Sequence, residues 1–231
     1  MKEMFMKLFH ICSFIFVLVF YIIYSSLILE ILKKFDINVK NLPITLQTII
    51  LILIELSLVF FICFLYRKDL KKEFKIFKNN FLKTFLFSIK WWLLGLVLMA
   101  LSNIILQLLF HATSNNENQI QKLLGTMPIY VATVSCICAP IIEEMIFRKS
   151  LKKCFKSPYL FIVASGLIFG LLHVLTSKNI YEFLYIIPYG LFGSVFAYIY
   201  YKTKTIFSTI SIHMIHNTIL IIISLIGLGV F

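Results

Sequence analysis

The sequence predicts an all-α membrane protein, a polytopic bundle of transmembrane helices. Of its 231 residues, 61% are hydrophobic and only 14% are charged, and the mean hydropathy is +0.97. Apolar runs of about twenty residues recur along the chain, and each is long enough to cross the hydrocarbon core of a bilayer as a helix. Backbone in lipid must satisfy its hydrogen bonds internally, and such uninterrupted runs fit helices rather than the alternating strands of a barrel. This composition excludes a soluble globular domain.

The apolar runs predict about seven spans. Their expected limits are residues 8–32, 44–66, 84–110, 127–147, 159–176, 181–201 and 205–230. The first run is too long for a typical signal-peptide core and no small-residue cleavage site follows it, so we expect a retained anchor. We divide the chain into residues 1–126, with three spans and their loops, and residues 127–231, a core of four spans.

The basic residues predict the orientation. If the amino terminus is cytoplasmic, 16 Lys and Arg residues lie on the cytoplasmic side and five on the other side, while Lys90 lies within the third span. The positive-inside rule therefore favours a cytoplasmic amino terminus and an external carboxy terminus. The net charge of +12 has the same origin, because basic loops lie against anionic lipid headgroups; a nucleic-acid partner is not expected. Twenty lysines against two arginines suggest an AT-rich genome, hence a bacterial plasma membrane.

A few polar side chains fall inside the predicted spans. Ionisable groups at membrane depth are costly, so they are usually paired, face the bundle interior and have a function. The set comprises Glu55, Lys90, Glu143, Glu144, His173, His213 and His216, with Asn217 as a neutral neighbour. We expect Glu55 to pair with Lys90 and His216 to be structural.

Helical spacing gives three of these segments one polar face each. Residues four apart share a face, so Glu144 can reach Arg148, while His173 lies one turn beyond Phe169. His213 and Asn217 are related in the same way. An arginine can hold one of two adjacent carboxylates ionised and leave the other free to change protonation.

These segments resemble the three motifs of the CAAX-protease and bacteriocin-processing family of intramembrane proteases, also called the Abi family. Residues 143–148 (EEMIFR) resemble its EExxxR motif, residues 169–173 (FGLLH) its FxxxH motif, and residues 213–217 (HMIHN) its HxxxN motif. The resemblance covers about residues 127–220. Lys149 follows the arginine where the family often has glycine.

The resemblance implies a role for each motif residue. Glu143 and His173 would activate a water molecule, and His213 and Asn217 would donate hydrogen bonds to the oxyanion. Glu144 and Arg148 would form a supporting ion pair.

The resemblance leaves the metal requirement open. The family is commonly labelled as metalloproteases, and Glu143, His173 and His213 would make a three-ligand zinc site. The chain lacks an HExxH motif, so we expect a metal-independent enzyme without a cofactor, with zinc as the alternative.

Depth is a test of this site. Counted from the span ends, Glu143 and His173 lie at different heights in the membrane. They meet only if Arg148 is buried and its helix continues to about Cys154. Gly166 and Gly170 would permit close packing or bending of the fifth span.

We therefore expect an intramembrane endopeptidase that cleaves small or membrane-associated substrates near the cytoplasmic side. CAAX-like, pheromone and bacteriocin-related peptides are the candidate substrates, and the lipid bilayer is the other partner. One alternative is a non-catalytic protein of the same fold with a role in bacteriocin self-immunity or regulation. Another is a proton-coupled transporter, which would predict inverted repeats that the sequence does not show. The sequence does not predict the oligomeric state.

Overall fold

A computed structural model describes residues 2–111 and 113–229 and confirms the predicted all-α bundle. Each predicted span corresponds to helical structure, although the end of the last one, Val230, lies outside the described residues. The α-helices are α1 (Lys2–Lys34), α2 (Ile44–Leu65), α3 (Arg67–Asn79), α4 (Phe81–Phe110), α5 (Asn115–Thr126), α6 (Pro128–Thr133), α7 (Ala139–Glu144), α8 (Pro158–Val174), α9 (Ile180–Phe183), α10 (Ile186–Thr203) and α11 (Ile206–Gly227). A short 3₁₀ turn, Val39–Asn41, precedes α2.

Six helical stretches within the described residues are long and apolar enough to cross a membrane. They are Glu3–Lys34, Ile44–Leu65, Phe81–Phe110, Pro128–Ser150, Ile180–Thr203 and Ile206–Gly227. The fifth predicted span is shorter, because α8 has only 17 residues. Large apolar side chains such as Phe60 and Leu108, 73% and 71% exposed, cover the outside of the bundle where lipid would contact it. The chain is a multi-pass membrane protein.

The fourth span is one continuous helix with two π-helical segments. Val134–Cys138 separates α6 from α7, and Met145–Ser150 follows α7. Pro140 accounts for the first of them, because proline has no N–H and its ring crowds the carbonyl four residues earlier. Such π segments are frequent at functional sites, and here the two flank the helix that carries the adjacent glutamates.

The sixth predicted span is broken near its start. Asn179 caps the short α9 by accepting a hydrogen bond from the Glu182 N–H, and α10 then begins at Ile186. The break falls at residues 184–185. Pro188 is tolerated in the first turn of α10, where backbone N–H groups have no intrahelical partner.

Helices α8 and α10 pack backbone to backbone, as expected from Gly166 and Gly170. A Cβ atom on Gly170 would lie 2.7 Å from the Ile186 carbonyl oxygen and 2.9 Å from the Gly190 nitrogen. Gly166 faces Gly190 and Ser194 at similarly close range. Small residues at such a crossing let membrane helices approach closely.

Helix α3 is fixed at one end of the bundle by a buried carboxylate, that of Glu73. Its two oxygens accept hydrogen bonds from the Tyr200 hydroxyl at 3.1 Å and the Ile206 N–H at 2.7 Å, and it forms an ion pair with Lys149. Asp69 on the same helix pairs with Lys153 at 3.0 Å and Lys149 at 3.4 Å. Burial raises the pKa of Asp69, but the hydrogen bond from Lys153 and the two lysine charges outweigh it and leave the pKa below its ordinary value.

Helix α5 lies at the opposite end. The Gln121 side chain donates to the Ser224 hydroxyl at 2.6 Å, near the end of α11, whereas Glu73 contacts Ile206 at its start. The 18 residues between these contacts correspond to about 27 Å along a helix. The basic loops thus surround the α3 end, and the α5 end carries few charges.

Candidate active site

The three motifs meet at one cavity of about 630 Å³. Glu143, His173, His213 and Asn217 all contribute to its lining. A neighbouring cavity of about 330 Å³ is lined by Glu143 and His173 together with Tyr21 and Ile22 of α1. The structure thus brings together the four residues that the sequence predicts to be catalytic, and it adds two from the first span.

The remaining two predicted residues lie beneath the cavity. Glu144 and Arg148 are fully buried, with the Arg148 Nε 3.2 Å from the Glu144 Oε2. The guanidinium also stacks on Phe169, 4.7 Å from the ring centroid. Arg148 is buried as the expectation required, whereas the helix ends before Cys154, with residues 153–154 in a turn. Glu143 and His173 nevertheless line the same cavity.

Glu144 has a second partner that the sequence did not predict. Its Oε1 lies 3.0 Å from the His213 Nδ1. A carboxylate only accepts hydrogen bonds, so Nδ1 carries the proton, and in the neutral ring the lone pair is on Nε2. That Nε2 lies 3.8 Å from the Glu143 Oε2. No spacing rule connects residues 69 positions apart on different helices, which is why this contact was missed.

His173 is oriented by its own helix. Its Nδ1 lies 2.9 Å from the Phe169 carbonyl oxygen, which can only accept, so the neutral ring again has its lone pair on Nε2. The ring stacks on Tyr189 of α10 with centroids 4.6 Å apart. The FxxxH motif therefore has a double purpose: Phe169 supports both Arg148 and His173.

Asn217 fills a gap in the backbone of the fourth span. In this π-helical segment each N–H donates to the carbonyl oxygen five residues earlier, as Ala139 does to Val134. The next donor, to the Ser135 carbonyl oxygen, would be residue 140. Residue 140 is a proline, which has no N–H, so this carbonyl lacks a backbone partner. The Asn217 Nδ2 donates to the Ser135 carbonyl instead, at 2.7 Å. Its second N–H is not used by this bond and can serve a ligand in the cavity.

Two further predictions concern polar residues that were not assigned to the site. His216 lines the cavity, which sequence reasoning did not predict, and packs its ring 4.4 Å from that of Phe192. The expected Glu55–Lys90 pair is wrong: Glu55 accepts a hydrogen bond from Ser25 at 2.7 Å, and Lys90 is exposed. Lys90 lies on the exposed face of α4, whereas α1 and α2 pack together, so Ser25 is within reach of Glu55.

The zinc alternative would need Glu143, His173 and His213 to converge on one ion. Within residues 2–111 and 113–229, no group of three His, Cys, Asp or Glu side chains is arranged to hold a metal ion. The Nδ1 atoms of His173 and His213 are both engaged in hydrogen bonds with the protein, so a metal ion would have to bind their Nε2 atoms. The metal requirement stays a prediction. No step proposed below runs through zinc.

The cavity extends toward the α5 end of the bundle. Asn116 and Gln121 of α5, Ser224 of α11 and Gln107 of α4 contribute to its lining. On the side of the basic loops, Glu144, Phe147 and Arg148 are fully buried. Cleavage near the cytoplasmic side stays a prediction.

Comparison with known proteins agrees with the motifs. Residues 125–219 match the family model described as "Type II CAAX prenyl endopeptidase Rce1-like". The chain is 31% identical over 115 residues to a Bacillus subtilis (strain 168) protein named "Putative membrane peptidase YdiL"; the match covers 48% of this chain. The chain spans only 44% of the length of that relative. No solved structure matches. Over residues 125–219, the chain is thus similar to the CAAX-protease and bacteriocin-processing family.

Proposed function

We propose that this protein is an intramembrane endopeptidase that hydrolyses peptide bonds with water activated by Glu143 and His173. The convergence of Glu143, His173, His213 and Asn217 on one cavity carries the proposal. Peptide hydrolysis needs a base for the water, donors for the oxyanion and a proton for the leaving amine. The cavity offers residues for each task, inside a bundle that otherwise has few ionisable groups at this depth.

The first step is attack by water. The Glu143 carboxylate or the His173 Nε2 accepts a proton from water as the oxygen bonds to the substrate carbonyl carbon. The free N–H of Asn217 then donates to the oxyanion. Collapse of the tetrahedral intermediate breaks the C–N bond, and the stored proton passes to the leaving amine. The products are a carboxylate and an amine, with no metal ion required.

His213 can assist only after it has gained a proton. Its neutral ring presents a lone pair at Nε2, since Nδ1–H is bonded to Glu144. The Glu143 carboxyl group, 3.8 Å away, can supply a proton during the reaction. The resulting imidazolium donates to the oxyanion and is stabilised by Glu144, as the buried aspartate stabilises histidine in a serine-protease triad.

The substrates are small or membrane-associated peptides, among which CAAX-like, pheromone and bacteriocin-related sequences are candidates. The test is proteolysis by purified protein in liposomes, with a pool of such peptides followed by mass spectrometry. We expect cleavage to be lost in Glu143→Gln, because the base is removed, and to survive addition of a metal chelator.

Glu55→Gln is the matched control. It also removes a carboxylate from the membrane interior, but Glu55 bonds Ser25. We expect this variant to keep its cleavage rate. Cleavage that persists in Glu143→Gln would contradict the assignment of the base, and loss of cleavage on chelation would contradict the metal-independent mechanism.

A further inference from the structure

A second, smaller cavity adjoins the one that the three motifs line. Its volume of about 330 Å³ leaves room for several water molecules. Glu143 and His173, the residues proposed to activate water, line both cavities. His213 and Asn217 contribute to the larger cavity and not to the smaller one, and for Tyr21 of α1 the reverse holds. Glu143 and His173 therefore stand between two spaces with different polar neighbours.

Tyr21 has an unusual position for a tyrosine in a membrane helix. Tyrosines of such helices are enriched near the membrane surfaces, where the hydroxyl group meets water. Tyr21 instead lies near the middle of the 33-residue α1. Its ring packs against the buried cluster that α1 shares with the fourth span, and this packing fixes the direction of the side chain. The hydroxyl group is thus held at the depth of the motif residues.

The Tyr21 hydroxyl group forms no hydrogen bond with any residue that the structure describes. It does interact electrostatically with Glu143, so the two side chains are close in space. Tyr24, three residues further along α1, has a partner: its hydroxyl group shares a hydrogen bond of 2.7 Å with Ser57 of α2. Tyrosine hydroxyl groups inside proteins usually find a partner, so that of Tyr21 is available to a molecule in the smaller cavity.

We propose that the smaller cavity holds the water molecule that attacks the substrate, and that Tyr21 orients it. A water molecule in a protein cavity needs about two to four polar partners. Here the wall offers the Glu143 carboxylate, the His173 Nε2 and the Tyr21 hydroxyl group. The water donates one hydrogen to Glu143 or His173 and the other to the Tyr21 oxygen, which accepts it. A lone pair of the water oxygen then faces the substrate carbonyl carbon in the larger cavity.

This arrangement gives the two cavities separate tasks. The substrate occupies the larger cavity, where Asn217 donates to the oxyanion, and the water approaches from the smaller one. The water loses one proton to Glu143 or His173 as its oxygen bonds to carbon, and Tyr21 keeps its own proton throughout. The role of this water rests on the proposed hydrolysis, whereas the presence of water beside Tyr21 does not.

The first test compares two tyrosines of α1. Tyr21→Phe removes the hydroxyl group and keeps the ring, so one hydrogen bond to the water is lost while the packing of α1 stays. With a peptide that the wild-type protein cleaves in liposomes, we expect kcat to fall about tenfold and KM to change less than about twofold. The unfolding temperature should not change.

Tyr24→Phe is the matched control. It also removes a hydroxyl group from α1, but that group is bonded to Ser57 and lines neither cavity, so kcat should stay at the wild-type value. An unchanged kcat in Tyr21→Phe, or an equal fall in both variants, would overturn the role of Tyr21.

The second test does not depend on activity. The five cysteines of the chain are first replaced by alanine, and folding is checked by size-exclusion chromatography. Tyr21→Cys or Tyr24→Cys is then introduced and treated with a water-soluble methanethiosulfonate. A thiol reacts as the thiolate, which forms in water and not in apolar surroundings, so Tyr21→Cys should react about tenfold faster than Tyr24→Cys.

The outcomes of the second test separate the two proposals. Equal rates, or faster reaction of Tyr24→Cys, would show that the smaller cavity does not hold water and would overturn the inference. If Tyr21→Cys reacts faster but the wild-type protein cleaves no peptide, the peptidase proposal fails, and the role of Tyr21 in hydrolysis fails with it. The water-filled cavity would then stand alone.

Discussion

The two adjacent glutamates have different structural tasks. Glu144 is fully buried and bonds Arg148 and His213, whereas Glu143 lines both cavities. A carboxylate removed from water is tolerated when charge and hydrogen bonds compensate for its desolvation. Glu144 therefore pairs with Arg148 and orients His213, whereas we propose that Glu143 reacts.

This division predicts the outcome of a double-mutant cycle. Glu144→Gln leaves the Arg148 charge buried without a partner, and should lower the free energy of unfolding by about 3–5 kcal/mol. Arg148→Met should cost a similar amount by isolating Glu144. The double variant should be more stable than the sum of the two effects implies, because neither charge remains.

Unfolding by denaturant in mixed micelles would measure the stability terms. Activity separates this ion pair from a purely structural one: the double variant should remain inactive although it folds, since His213 has lost its carboxylate. Additive losses would argue against the pair, and recovered cleavage would argue against the orienting role of Glu144.

The sequence predicted which residues would line the cavity more completely than their contacts. Helical spacing found the pair Glu144–Arg148, and the motifs found Glu143, His173 and His213. Contacts between helices, such as Glu144 with His213, depend on how the helices pack, which spacing along one helix does not encode. The hydrogen bond from Asn217 to the Ser135 carbonyl oxygen could be predicted only in part. Pro140 in the sequence indicates that a backbone donor is missing, but it does not indicate which side chain replaces that donor.

At the scale of elements, the crossing of α8 and α10 positions His173. Gly170 lies three residues before His173, and its missing side chain lets Ile186 and Gly190 approach. Tyr189, between them in sequence, stacks on the His173 ring. The glycine contact thus sets the distance between the two rings.

Gly170→Ala should push these helices apart. The added methyl group would contact backbone atoms, which have no rotamer to change, and overpacking of this kind costs about 1–3 kcal/mol. We expect a lower unfolding temperature and weaker cleavage. The control is Gly125→Ala in α5, where a Cβ atom meets nothing within 4 Å and helix propensity should improve. Equal stability of the two variants would show that the crossing is more adaptable than the structure indicates.

Helix α3 illustrates what the sequence could not show. Its six basic residues predicted a loop on the membrane surface, and nothing in this pattern indicated a role for Glu73. In the structure, the Glu73 carboxylate connects α3 to Lys149, to Tyr200 and to the start of α11. Lys149, which departs from the common glycine of the family, is its ion-pair partner. The departure is thus matched by an acidic residue elsewhere in the chain.

The substitution Glu73→Gln tests whether these contacts of Glu73 hold α3 in place. The amide keeps the shape and one acceptor but leaves buried Lys149 with only the more distant Asp69, so we expect a loss of about 2 kcal/mol in the free energy of unfolding. Hydrogen exchange should show faster opening of α3. Asp69→Asn is the control, because its partly exposed pairs with Lys149 and Lys153 should contribute at most about 1 kcal/mol. If both variants lose the same free energy of unfolding, Glu73 does not contribute more than Asp69 to the attachment of α3.

On the scale of the whole molecule, the first two spans and the motif-bearing helices share one core. One buried cluster contains residues of α1, of α2 and of the fourth span. Its members include Phe14, Val17, Leu58, Ile62, Ile142 and Phe147. Tyr21 and Ile22 also line the smaller cavity beside Glu143. The division at residue 126 was drawn from the positions of the motifs, and it stays a prediction.

Residues 127–231 expressed alone should therefore not form a stable bundle. Within a membrane, helices associate through packing and polar contacts rather than through the hydrophobic effect, and this fragment would lose both the α1–α2 packing and the Glu73–Lys149 pair. We expect it to aggregate in detergent or to unfold at a lower temperature than the full chain. Co-expression with residues 1–126 should restore a monodisperse complex, because each half retains its own helices and needs only to dock. A monodisperse fragment with the unfolding temperature of the full chain would show that the shared core contributes little. The difference in unfolding temperature between the fragment and the full chain would measure how far the cavity lined by the three motifs depends on residues 1–126.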